Sequence, residues 1–268
     1  MRGLQDKIIV VAAGGTGATD GTSHGASIGG ATARRLAAEG AKVVVGDLSA
    51  LAAERTVELI TDAGGTAVAH QFDAGEDEQI ESLMDRAVSE YGGIDGVHYN
   101  AMDMSAPTLG VDGEHDLLTL PLEAWQRTID VGLTGLLLAA RHSIPHMLER
   151  GGGSLVATVS GAVYAGEPIR VAYATTKTGM TAVIRHVASR WGREGIRANA
   201  VAPGLVPGEE MVANMPPEGI QRMLRMGRSD RLGRADDIAN MVAFLMSDDG
   251  AWVTAQVLAV DGGNTMRA

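Results

Sequence analysis

Cysteine is absent from the 268 residues, which removes disulfides, thiolate metal sites and cysteine nucleophiles together. Aromatic residues make up only 3% of the chain, so the interior must be assembled from Ala, Val, Leu, Ile and Met. Positive charge is in deficit: 22 Lys and Arg stand against 33 Asp and Glu, a formal charge of −11. Without a basic cluster, binding along a nucleic-acid backbone is not expected, and the acidic balance reads as a solvated surface. No apolar run approaches the ~20 residues that a bilayer-spanning helix needs. The strand-like run Lys7-Ile8-Ile9-Val10-Val11 begins without a charged-then-apolar leader before it. Together these absences predict a soluble protein with no membrane partner, and the missing cysteine fits a reducing cytoplasm.

What is present is rhythm. Short apolar runs at 7–12, 41–46, 66–72, 94–99, 154–160, 196–201 and 255–260 are bounded by Gly, Asp or Asn, as buried strands are. Helical patterns fall between them, at roughly 28–39, 49–63, 76–91, 122–150, 171–192 and 235–247. Strict alternation predicts an α/β fold in which a parallel sheet of about seven strands is doubly wound, with helices on both faces. Residues 1–268 fit one such domain. Ligands then belong above the carboxyl ends of the strands. Two stretches interrupt the pattern there, a loop at about 102–121 and a proline-containing flap at about 203–230. Both are placed to shape a substrate site.

Tyr173-Ala174-Thr175-Thr176-Lys177 carries the chemistry. Positions four apart stack along a helix face, so the phenol and the ammonium can meet. A free tyrosine has a pKa near ~10, and a cation within a few ångström favours the phenolate. The pair is a ready general acid/base for an alcohol or ketone. Chance spacing is a weak rival, because the chain has only four tyrosines and three lysines, Lys7, Lys42 and Lys177.

At the other end of the chain, Gly14 and Gly15 open a glycine-rich turn that runs to Ser27-Ile28-Gly29-Gly30 at a helix start. Glycines there let a pyrophosphate approach backbone N–H groups and the positive end of the helix dipole. Asp47 closes the second strand 18 residues beyond Gly29, near the usual place of the acid that binds the adenosine ribose. A carboxylate repels a 2′-phosphate, so NAD(H) is expected over NADP(H).

With these motifs in order, the chain resembles the short-chain dehydrogenase/reductase family over its full length. Further matches are Asp73 after the third strand, Asn100-Ala101 after the fourth, Ser160 after the fifth, and Pro203-Gly204 after the sixth. Arg231-Leu232-Gly233-Arg234 leads into the last helix, and Val260-Asp261-Gly262-Gly263 closes the last strand. The resemblance implies hydride transfer between an alcohol or ketone and a nicotinamide, with Ser160, Tyr173 and Lys177 catalytic. Ser160 would bind the substrate oxygen and Lys177 the nicotinamide ribose. Gly14, Gly15, Ser27, Ile28, Asp47, Asp73, Ala74, Asn100, Ala101, Met102, Tyr173, Lys177, Pro203, Gly204 and Val206 would bind the cofactor. It also implies a homotetramer or homodimer through the 122–150 and 171–192 helices.

Four departures stand out. The glycine-rich turn is about nine residues longer than the family's compact form, with Ser27 at its middle glycine. Met102 replaces a glycine. Gly132 falls on the family's helical asparagine, and Gly208 on a threonine that often holds the carboxamide. They motivate a rival reading as a non-catalytic dinucleotide-binding sensor or scaffold, against which the joint presence of Ser160, Tyr173 and Lys177 speaks. Ser27-Ile28 after a long loop is also similar to the family's enoyl-reductase branch, which spaces its tyrosine and lysine more widely. No metal site is expected. His142 and His146 are four apart but lack a third ligand, and Pro145 should interrupt their helix. His115 beside Glu114 and Asp116 reads as a solvated acidic loop. Met211, Met215, Met223 and Met226 recur through the flap and suit an apolar pocket as well as plain packing.

Overall fold

The computed structural model describes residues 1–16, 27–104 and 116–266. Expectations for residues 17–26, including how the lengthened turn meets a pyrophosphate, and for the His115 cluster lie outside the described residues.

Seven strands form one parallel sheet: β1 (Ile8–Ala12), β2 (Lys42–Asp47), β3 (Thr66–Gln71), β4 (Gly96–Tyr99), β5 (Gly153–Thr158), β6 (Ile196–Pro203) and β7 (Val257–Val260). Their order is β3-β2-β1-β4-β5-β6-β7. All five residues of β1 are buried; a strand covered on both faces has no polar side to alternate. The helices are α1 (Ile28–Ala38), α2 (Ala50–Asp62), α3 (Asp77–Tyr91), α4 (Leu122–Ile129), α5 (Gly135–Glu149), α6 (Val171–Trp191), α7 (Glu209–Asn214), α8 (Pro217–Leu224) and α9 (Ala235–Met246). One core layer packs α3, α5 and α6 on the sheet through residues such as Leu83, Leu136, Met147, Met180 and Ile184. The other packs α1, α2 and α9 through Leu36, Ile60, Ile238 and Val242. The order of connection reverses between β1 and β4, which opens a crevice above their carboxyl ends.

Three details depart from the periodicity. The 122–150 pattern is two helices joined by a single π turn, Asp130–Thr134, rather than one continuous helix. The Tyr99 hydroxyl donates to the Val131 carbonyl at 2.5 Å, drawing it out of the regular ladder. Burial pushes the Tyr99 phenol well above its ordinary pKa, so it stays a donor. By contrast, Pro145 does not end its helix; α5 runs through it. Ile144 and Met147 on either side are buried in the core, and that packing outweighs the lost hydrogen bond. The 203–230 stretch holds two helices, α7 and α8. Pro217 is the first residue of α8, where its missing N–H costs nothing and its fixed φ suits the helix.

Candidate active site

The glycine-rich turn starts on a strained backbone. Ala13 adopts φ +61°, a left-handed conformation unusual for a residue with a side chain. Its carbonyl accepts from the Asn100 side chain at 3.2 Å, while the Asn100 backbone N–H bonds Ala12 at 3.0 Å. Asn100 therefore ties the ends of β1 and β4 together at the crevice. A side chain at Gly29 would strike the Ala13 carbonyl, so glycine is what lets α1 come so close to β1.

Ser27 caps α1. Its hydroxyl accepts from the Gly30 N–H at 2.9 Å and donates to the Gly15 carbonyl at 2.5 Å. The residue expected to face a phosphate thus closes the base of the turn with its side chain. Asp47, at the end of β2, accepts from the Gly15 N–H at 2.8 Å and from the Ser49 N–H at 3.1 Å. Both bonds orient its carboxylate at the mouth of the crevice. Asp73 accepts from Gly75 and from an Arg127 nitrogen that lies 2.8 Å from both its oxygens. Ala74 and Ala101 are buried. Ile28 packs half-buried against the second core layer.

Ser160 lies two residues past β5 and caps the short turn Gly161–Val163, its oxygen accepting from the Ala162 N–H at 3.1 Å. Tyr173 and Lys177 share the first half of α6, and the Lys177 nitrogen lies 5.8 Å from the centre of the tyrosine ring. The spacing expectation holds: both side chains meet on one face. Lys177 is only 3% exposed and donates to the Thr158 carbonyl at 2.7 Å. Burial pulls its pKa from 10.5 down to about 7. A buried imidazole lies on the far side of the same residue, His98 Nε2 at 2.9 Å from the Thr158 hydroxyl. Burial and the Lys177 charge hold His98 down at about 3, so it is neutral.

The four departures read differently in three dimensions. A side chain on Gly132 would meet the Thr176 methyl at 2.2 Å and the Met102 sulfur at 3.1 Å. Met102 and Thr176 fill the space that a larger residue would occupy, so the Gly132 and Met102 departures are one packing arrangement. Gly208 caps α7. Pro203 ends β6, and the Gly204 N–H bonds Val260 at 3.0 Å. A cavity of about 300 Å³ lies beside this turn, lined by Gly204, Val206, Met223, Met226 and Asp261 among others. None of Ser160, Tyr173 and Lys177 lines it. Two of the four flap methionines do, while Met211 is exposed.

Sequence reasoning missed His98, Thr158 and Arg170, whose guanidinium lies 5.1 Å from the Tyr173 ring centre. Polar residues inside otherwise apolar β4 and β5 were the available signal for the first two. Among the described residues there is no group of three or more His, Asp or Glu able to hold a metal ion. Nor is any helix among the described residues long and apolar enough to cross a membrane.

A family model described as enoyl-(acyl carrier protein) reductase matches residues 21–265. A cis-4-hydroxycyclohexanecarboxylate dehydrogenase of Sinomonas cyclohexanicum is 36% identical, covering 91% of this chain and 94% of its own. A cyclohexanol dehydrogenase of an Acinetobacter strain is 33% identical over 92% and 94% of the two chains. A solved 7α-hydroxysteroid dehydrogenase, complexed with NADH and 7-oxoglycochenodeoxycholic acid, superposes with TM-score 0.85 at 29% identity. That superposition covers 98% of this chain and 96% of the other. The seven-stranded parallel sheet agrees with these matches, and the chain belongs to the short-chain dehydrogenase/reductase family of oxidoreductases.

Proposed function

We propose that the protein interconverts a secondary alcohol on an alicyclic ring and the corresponding ketone, using NAD(H). The observation that carries this reading is the lysine held under the tyrosine ring on one helix face and tied to the Thr158 carbonyl, two residues before Ser160. A nicotinamide dinucleotide would supply or accept the hydride. Gly14, Gly15, Asp47, Asp73, Ala74, Asn100, Ala101 and Met102 would hold its adenosine side, Pro203, Gly204 and Val206 its nicotinamide side. The fit rests on the Asp47 carboxylate. It is fixed by Gly15 and backed by a turn where a Cβ on Gly15 would collide with it. That placement suits a ribose diol and opposes a 2′-phosphate.

Tyr173 exchanges the proton of the substrate oxygen. The Ser160 hydroxyl binds the same oxygen and steadies the negative charge that builds on it. Lys177, at about 7, can hold or release a proton near neutral pH, matching a group that restores the tyrosine after each turnover. Thr158 fixes the lysine through a main-chain carbonyl. Alicyclic substrates are favoured because relatives named for cyclohexanol and hydroxycyclohexanecarboxylate span nearly the whole chain. The 1–268 chain as one domain, a cytoplasmic location and a homotetramer or homodimer complete the reading.

The test pairs calorimetric titration of NAD+, NADH, NADP+ and NADPH with a panel of cyclic alcohols and ketones, followed by reduced-nicotinamide absorbance. NADH should bind more tightly than NADPH, and Asp47→Asn should narrow that preference about tenfold, the worth of one charge-assisted hydrogen bond. Tighter NADPH binding by the wild type would overturn the cofactor choice. Cofactor binding without turnover on any panel member would favour the sensor reading.

A further inference from the structure

Two cations contact the Tyr173 ring, and they differ in kind. Lys177 is buried and committed to the Thr158 carbonyl. Arg170, one residue before α6, is partly exposed and pairs with Glu167 through a single terminal nitrogen. Its Nε and its other terminal nitrogen make no hydrogen bond among the described residues. Arg231, by comparison, places two terminal nitrogens on the two oxygens of Asp237. A guanidinium offers five N–H donors in a rigid fork that matches a carboxylate. Arg170 keeps part of that fork open, 5.1 Å from the centre of the Tyr173 ring, whose hydroxyl exchanges the substrate proton on the reading above. In a chain of net charge −11, it is a cation that an anionic substrate would meet beside Tyr173.

Resting on the alcohol–ketone reading above, we propose that Arg170 anchors a carboxylate of the substrate. The preferred class is then hydroxy acids and oxo acids whose carboxylate lies across the ring from the reacting carbon. Glu167 is the resident counter-ion that this carboxylate displaces. The site sets specificity only; the reacting bonds are those of the alcohol–ketone exchange.

The experiment compares kcat/KM for 4-oxocyclohexanecarboxylate and its primary amide in wild type, Arg170→Gln, Arg170→Lys and Glu167→Gln. Equilibrium binding of cyclohexanecarboxylate, which has no carbonyl to reduce, is measured alongside by calorimetry. The wild type should prefer the acid about 10- to 100-fold, the range for a charge-assisted hydrogen bond. Arg170→Gln should erase most of that ratio, Arg170→Lys should keep part of it, and Glu167→Gln should raise it. A ratio unmoved by Arg170→Gln, or lowered by Glu167→Gln, overturns the assignment even if both ketones are reduced. Should neither ketone be reduced while cyclohexanecarboxylate still binds in an Arg170-dependent way, the reaction assignment fails and the anion anchor stands.

Discussion

The two edges of the sheet use polar side chains in opposite ways. At the amino-terminal edge, Asp95 accepts from the Ile8 N–H at 2.8 Å and from two Arg150 nitrogens at 2.8 and 3.0 Å, with Lys7 at 3.7 Å. Arg197 spreads its donors over the Leu245, Val253 and Ser247 carbonyls. At the carboxyl edge, the Tyr173 hydroxyl has no hydrogen bond among the described residues, and the Ser160 proton has no acceptor among them. Saturated polar groups hold strands in register. Unsaturated ones are left free for a reactant. Ser160, Tyr173 and Lys177 do not line the 300 Å³ cavity beside Gly204.

The sharpest break of that contrast is Tyr173→Phe. It should lower kcat about 10²- to 10⁴-fold, the usual worth of a positioned acid/base, while leaving the thermal midpoint nearly unchanged. Turnover that survives the substitution would remove the tyrosine from its role. The mirror experiment is Asp95→Ala at the other edge. Unfolding in urea should show a loss of about 2–3 kcal/mol, below the range for a fully buried pair because Arg150 and Lys7 reach water. Its kcat should stay near wild type; a fall in kcat with no loss of stability would erase the distinction between the edges.

Gly132→Asn probes the boundary between the two. The new side chain collides with Thr176 and crowds Met102, so overpacking should cost about 1–3 kcal/mol. Thr176→Ala in the same chain should recover part of that, as thermal melts of the single and double variants would show. No recovery would mean that the π turn itself, not the Thr176 methyl, rejects the side chain.

The last expected effect is a slope. Lys177 sits at about 7 in the folded chain against an ordinary 10.5. Below pH 7 both states carry the proton, and the fold bears the cost of a buried ammonium. Between about 7 and 10.5 the unfolded chain holds a proton that the folded chain has shed, so this residue makes stability climb with pH. Lys177→Met should remove that rise from a series of melts across the window. An unchanged series would contradict the buried, depressed lysine.

Most of the fold was readable because buried parallel strands are unbroken apolar runs, and Val43, Val44 and Val45 leave little choice. The Tyr173–Lys177 pairing was readable for a similar reason: helical spacing fixes it locally. What escaped was non-local. Nothing near residue 131 announces a π turn that depends on the phenol of Tyr99, 32 positions earlier. Nothing near Lys177 names Thr158 as its acceptor, since a carbonyl has no side-chain signature. The proline-containing flap at 203–230 gave no sign of the helix that starts at Pro217. Ser27 kept its place at the helix entrance, yet its hydroxyl is spent on the protein's own backbone.

The tether between Lys177 and the Thr158 carbonyl has an evolutionary corollary. An acceptor supplied by the main chain cannot be deleted by exchanging one amino acid for another. Position 158 can therefore change in concert with His98, its hydroxyl's partner, while the ammonium keeps its mooring. Variation among descendants of this sequence can accumulate directly beneath the reactive pair without dislodging it.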